Sequence, residues 1–346
     1  MNWINAFEII CYAITALLIA DIVKKKNWNE LGLFFSAALA GFILELLAVY
    51  LADIYHYSDK YYITIGMPPY QFPFFGGLMW GSLAVCAVRV AQKLQLSKPI
   101  AALFAGWLIV SMDMLLDVAA IRLSGGFWTW EGRQISLTIN HHSFMSVIWV
   151  NFLGYLFETP TIVYLTLKAW EKKQKTVLRK IGEVLAINAA GVIAVGVLSA
   201  LSMALDKITD EWFSCIAFIF LWAFIFVKVC VQIIRMRREL TFKGTKDWVL
   251  ILFWACIYGY CLCGLWSLHY FTSRSVVRRM CVFTCGVYDG AECGREEVKR
   301  SLFHKYSAAK FICPSIFSIS FVSPSYLNTL FSDIFNIYLT RILFIP

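Results

Sequence analysis

The chain has 346 residues, of which 60% are hydrophobic and only 15% charged, with a formal net charge of +9. Apolar runs near twenty residues recur from Trp3 onward, which excludes a water-soluble globular domain. The Lys and Arg residues are spread between these runs instead of gathered on one soluble face, so no nucleic-acid partner is expected. The expected fold class is all-α: a polytopic transmembrane helix bundle of about eight spans.

Span 1 covers 3–22, and with no cationic segment before it and no clear small-residue cleavage site after it, it reads as a retained helix. Span 2, 31–52, contains Glu45. An aromatic connection follows, ADIYHYSDKYYITIGMPPYQFPFFGG, whose Pro68, Pro69 and Pro73 predict a bent or re-entrant segment. Span 3, 73–93, contains Trp80, and span 4, 99–121, contains Asp113 and Asp117. A second aromatic connection, GGFWTWEGRQISLTINHHSF, leads to span 5, 143–168, with Asn151 and Tyr155. Spans 6 to 8, at 181–205, 212–234 and 248–270, hold few polar groups beyond Glu183 and Asn188 and read as supporting helices. Helical periodicity is lost near Ser273, so residues 1–272 form the transmembrane domain and 273–346 a poorly defined C-terminal appendage. Cys11, Cys86, Cys215, Cys230 and Cys256 fall in spans as small apolar residues, and Cys281, Cys285 and Cys293 in the tail lack a zinc spacing.

Positive charge alternates with each crossing. Lys24, Lys25 and Lys26 follow span 1; Arg89, Lys93 and Lys98 count as the charges between spans 3 and 4. Lys168, Lys172, Lys173, Lys175, Arg179 and Lys180 separate spans 5 and 6; Arg235, Arg237, Arg238, Lys243 and Lys246 separate spans 7 and 8. The other connections hold only Lys60, Arg122, Arg133 and Lys207. The positive-inside rule then places the N-terminus outside and the Lys-rich loops in the cytoplasm.

Asp113 and Asp117 stand one helical turn apart in an apolar run, so a helix turns both carboxylates to one side. Ionisable groups at bilayer depth are costly and face a bundle interior or a cavity. Counted from the outer helix ends, Glu45, Asp117 and Asn151 share a layer about 7–12 Å deep. Above it, Trp128 and Trp130 with Tyr55, Tyr57, Tyr61 and Tyr62 can roof an apolar pocket and offer π faces to a cation. They can equally serve as interfacial belt residues. The carboxylate pair can likewise lock helices together through Asn, Tyr or Arg122.

Order and spacing across residues 40–160 resemble the integral-membrane carotenoid biosynthesis family that includes the carotenoid hydratases of bacteria and archaea. The matching pieces are Glu45; the aromatic and Pro-rich loop entering a Trp-bearing span (Tyr57, Pro73, Trp80); Asp113-x-x-x-Asp117; the segment GGFWTW with Trp128 and Trp130; and Asn151 to Tyr155. The chain departs from the family pattern at Val118, where Pro follows the second Asp, and at VIWVN, where Gly-x-Pro precedes the Asn.

The resemblance implies a carotenoid or other isoprenoid lipid as partner, a prokaryotic cell membrane as location, and cofactor-independent hydration of an alkene. In that reading Asp117 donates the proton, Asp113 is its partner, and Glu45 and Asn151 position water. Trp128, Trp130 and Tyr57 stabilise the cation, and Trp80 and Tyr155 complete the binding surface. A carotenoid cyclase would start with the same protonation. Two other classes stand beside it: a metal-dependent intramembrane hydrolase with His56, His141, His142 and an Asp as ligands, and a transporter or scaffold. No internal repeat relates spans 1–4 to spans 5–8, which weighs against an inverted-repeat transporter.

Overall fold

The computed structural model describes residues 2–52, 55–130, 135–171, 176–236 and 247–268. Among them are eight α-helices: α1 Trp3–Lys24, α2 Trp28–Leu47, α3 Phe74–Lys93, α4 Lys98–Ala120, α5 Trp149–Ala169, α6 Val177–Thr209, α7 Trp212–Met236 and α8 Trp248–Ser267. The fold is an all-α polytopic bundle, and seven of its helices are long and apolar enough to cross a membrane. The exception is α5, which packs against α2, α3, α4, α6 and α7. A helix ringed by protein meets little lipid, so it can hold Asn151, Glu158 and an internal Pro160. The chain divides into units 1–260 and 261–346, and only the end of α8 represents the second among the described residues. The expected appendage 273–346 lies outside them, as do Arg133, Lys172, Lys173, Lys175, Arg237, Arg238, Lys243 and Lys246.

Side-chain caps set several helix starts by satisfying main-chain N–H groups that have no partner within the helix. Asn2 accepts from the Asn5 N–H at 2.8 Å, Asn27 from Glu30 at 3.3 Å, and Thr176 from Arg179 at 3.3 Å. Close helix crossings follow from glycine. A Cβ on Gly81 would lie 2.6 Å from the Phe34 carbonyl oxygen, and one on Gly106 would lie 2.9 Å from the Pro160 ring, so α2–α3 and α4–α5 pack more tightly than larger residues allow.

The connections expected at the outer end form three two-stranded sheets. Strands β1 (Tyr55–Tyr57) and β4 (Trp128–Trp130) pair antiparallel, with Tyr55 opposite Trp130 and Tyr57 opposite Trp128. Strands β2 (Thr64–Ile65) and β3 (Phe72–Pro73) form a hairpin where the prolines suggest a re-entrant segment. Strands β5 (Ser143–Phe144) and β6 (Val147–Ile148) join through Met145 and Ser146, both in left-handed backbone as a two-residue hairpin turn requires. Span 5 therefore starts at Trp149 and not at 143, because residues 143–148 are already paired as a hairpin. Span 6 is longer than expected, since α6 runs through Thr209 to a left-handed Asp210.

Arg89, counted above as a loop charge, sits inside α3 with 5% exposure. Its guanidinium donates to Glu30 at 3.1 and 2.7 Å and pairs with Asp21 at 2.8 Å and Asp247 at 3.4 Å. Lys25 adds a second cation, 2.8 Å from Asp21. Asp247 also caps α8 by accepting from the Leu250 N–H, so this cluster ties α1, α2, α3 and the start of α8 together.

Candidate active site

The antiparallel helices α4 and α5 are in register from Gly106 against Pro160 to Asp117 against Asn151. The Asn151 amide donates to Asp117 Oδ2 at 3.2 Å. One turn further in, Tyr155 interacts with Asp113 through its hydroxyl. Asp113 and Asp117 are both buried, and Asp113 Oδ2 has no hydrogen-bond partner among the described residues. An amide and a phenol are both neutral donors, so neither cancels charge on the pair.

Two further helices complete the ring. Tyr155 stacks on Trp80 of α3, with ring centroids 4.7 Å apart and planes at 23°. The Trp80 side chain adjoins Glu45 at the end of α2, just before the helix widens into a π-turn at Ala48–Ala52. Such turns recur at functional sites because they displace one residue from the regular ladder.

Alternation along β1 sends Tyr55 and Tyr57 to one side, and both hydroxyls donate to Glu45 Oε2, at 2.6 and 2.8 Å. Burial, and then the charge of Glu45, holds both phenols well above their usual range, so they remain protonated donors. Pairing of β1 with β4 lays Trp130 against Tyr55 at 5.0 Å and Trp128 against Tyr57 at 5.9 Å. The reversal that delivers β4 needs positive φ at Gly125 and Gly126, backbone that side-chain-bearing residues seldom adopt.

A continuous chain of contacts thus joins Asn151, Asp117, Asp113, Tyr155, Trp80, Glu45, Tyr57 and Trp128, and Tyr55 carries it on from Glu45 to Trp130. Asp117 lies in the last turn of α4, as expected, while Asn151 lies in the first turn of α5 and not deeper within it, because hairpin β5–β6 takes the residues expected to begin span 5. Tyr61 is buried against Tyr57 and Phe127, whereas Tyr62 is 64% exposed and takes no part in the roof. Arg122 donates to the main-chain oxygens of Val118, Ser136 and Met145.

Sequence reasoning missed Glu158, which is buried and whose Oε1 has no hydrogen-bond partner among the described residues. Asn151, Tyr155 and Glu158 share the i, i+4, i+7 face of α5, the periodicity that singled out the aspartates. The histidines do not assemble as one set. His56 points away from its tyrosine neighbours and meets the Tyr70 ring, while His141 and His142 meet Asp210, Glu211 and Trp212.

No curated protein and no solved structure matches the chain. A family model described as carotenoid biosynthesis protein matches residues 4–221, from α1 into α7 and across every residue of the carboxylate layer. With that match extending over more than half of its length, the chain belongs to the carotenoid biosynthesis protein family.

Proposed function

We propose that this membrane protein hydrates a terminal isoprenoid C=C of an acyclic or monocyclic carotenoid. The observation behind the reading is a buried carboxylate pair contacted by neutral donors and flanked by aromatic rings. Two close carboxylates in a low dielectric disfavour double ionisation, so the pair holds a proton.

In the first step the O–H bond of Asp117 breaks, the alkene π pair forms a new C–H bond, and a tertiary cation is left. Water then adds through an oxygen lone pair and releases its extra proton to the carboxylate pair, which restores the acid. The net change is alkene plus water to tertiary alcohol, with no electron transferred. Asn151 suits both states of Asp117, because an amide can donate to the carboxylate and accept from the acid. Glu45, held by two phenols, positions the water, and the faces of Trp128, Trp130 and Tyr57 stabilise the cation. Trp80 and Tyr155 flank the polyene. The layer lies in the outer half of the bilayer, with the N-terminus outside.

Expression in cells that make lycopene tests this directly. Pigments heavier by one water are expected by chromatography and mass spectrometry. A cyclic isomer of unchanged mass would replace hydration with cyclisation, and unchanged pigments would overturn both.

A further inference from the structure

The turn between α6 and α7 faces the segment that leads into α5, and the meeting point is rich in metal-ligand chemistry. One ligand atom each from His141, His142 and Asp210 lies within 4.8 Å of the others. His141 Nε2 is 3.5 Å from Asp210 Oδ2, is shielded from solvent, and makes no hydrogen bond among the described residues. His142 Nδ1 is 3.2 Å from Glu211 Oε2.

Each group is held by its own local structure. The Asn140 side chain accepts from the main-chain N–H groups of His142 and Ser143, while Trp149 donates to the Asn140 carbonyl. The His141 ring stacks on Trp212 with planes at 1° and centroids 4.5 Å apart. Asp210 and Glu211 both adopt positive φ, which ends α6 and turns their carboxylates toward the histidines.

We infer that His141, His142 and Asp210 form a divalent transition-metal site that clamps the segment before α5 to the α6–α7 turn. Asp210 and Glu211 bring two carboxylates to the two imidazoles, a donor set that a divalent cation can bridge. Imidazole with carboxylate suits zinc, cobalt and nickel better than the oxygen-preferring magnesium or calcium. Glu211 is a positioning residue, since a carboxylate beside a ligating imidazole orients the ring and raises its basicity. Asp210 is 81% exposed, so a metal enters from water. The site uses none of the residues of the carboxylate layer; its role is to hold the hairpin that precedes Asn151.

Cobalt binding to the purified full-length protein in detergent tests the inference. One cobalt per chain is expected, with visible d–d bands and no thiolate charge-transfer band. His141→Ala and Asp210→Asn should each abolish saturable binding, and Glu211→Gln should weaken it about 10- to 100-fold. Asn tolerates left-handed backbone, so Asp210→Asn keeps the turn and removes only the charge. Absent saturable binding, binding through thiolate, or undiminished binding in both His141→Ala and Asp210→Asn would overturn the site.

Discussion

Two clusters of buried charge stand at different places in this bundle, and they are built on opposite principles. Around Arg89, the carboxylates of Glu30, Asp21 and Asp247 all have a cation within salt-bridge distance. Around Asp113 and Asp117, the contacts are an amide, a phenol and another carboxylate nearby at Glu45. A guanidinium fixes a carboxylate in its charged form; a neutral donor leaves it free to exchange a proton. The first arrangement suits a brace and the second suits an acid.

Replacing charge by an isosteric amide should therefore act differently in the two places. Asp113→Asn and Asp117→Asn are each expected to lower carotenoid conversion by about 100-fold or more, the usual scale for a lost general acid or base. The amount of folded protein in the membrane should stay near wild type, because an amide keeps the size of the carboxylate, can still accept from Asn151 at position 117, and removes no paired cation. Retained conversion in both variants would sink the acid role. Arg89→Met should do the reverse. Leaving three carboxylates without their guanidinium costs about 3–5 kcal/mol, read as a lower melting temperature in detergent, while turnover per folded molecule is unchanged.

Both clusters were partly legible as sequence. Asp113 and Asp117 stand out because a carboxylate in an apolar run is expensive and their spacing gives one face. Arg89 was misread as a loop charge because a loop count ignores burial, and its partners Asp21, Glu30 and Asp247 are brought to it only by tertiary packing. The start of α5 was equally hidden. Residues 143–148 are apolar enough to extend a span, yet left-handed Met145 and Ser146 turn them into a hairpin. The Glu45–Tyr55–Tyr57 contact was equally out of reach, since it depends on pairing between β1 and β4, strands some seventy residues apart in the chain. Glu158 was legible by the same periodicity as the aspartates, and the interrupted apolar pattern of α5 obscured it.

The roof offers a subtler way to separate acid from brace. Tyr57→Phe removes one of two hydroxyl donors on Glu45 Oε2 and leaves the ring that packs on Trp128. The loss of one hydrogen bond, about 0.5–1.5 kcal/mol, corresponds to roughly 2- to 12-fold in rate, well below the effect at Asp117. Tyr55→Phe together with Tyr57→Phe should exceed the sum of the single changes, because each phenol partly covers for the other. The pH dependence sharpens the test. Since the Tyr57 phenol is held well above its usual range by burial and then by Glu45, its proton stays in place as pH rises through the ordinary phenol value of about 10. The ratio of wild-type to Tyr57→Phe activity is thus expected to stay constant from about pH 7 to about pH 10. A ratio that falls toward one across that window would mean that the phenol ionises normally, and Glu45 would then lack the protonated donors that the water-positioning role requires.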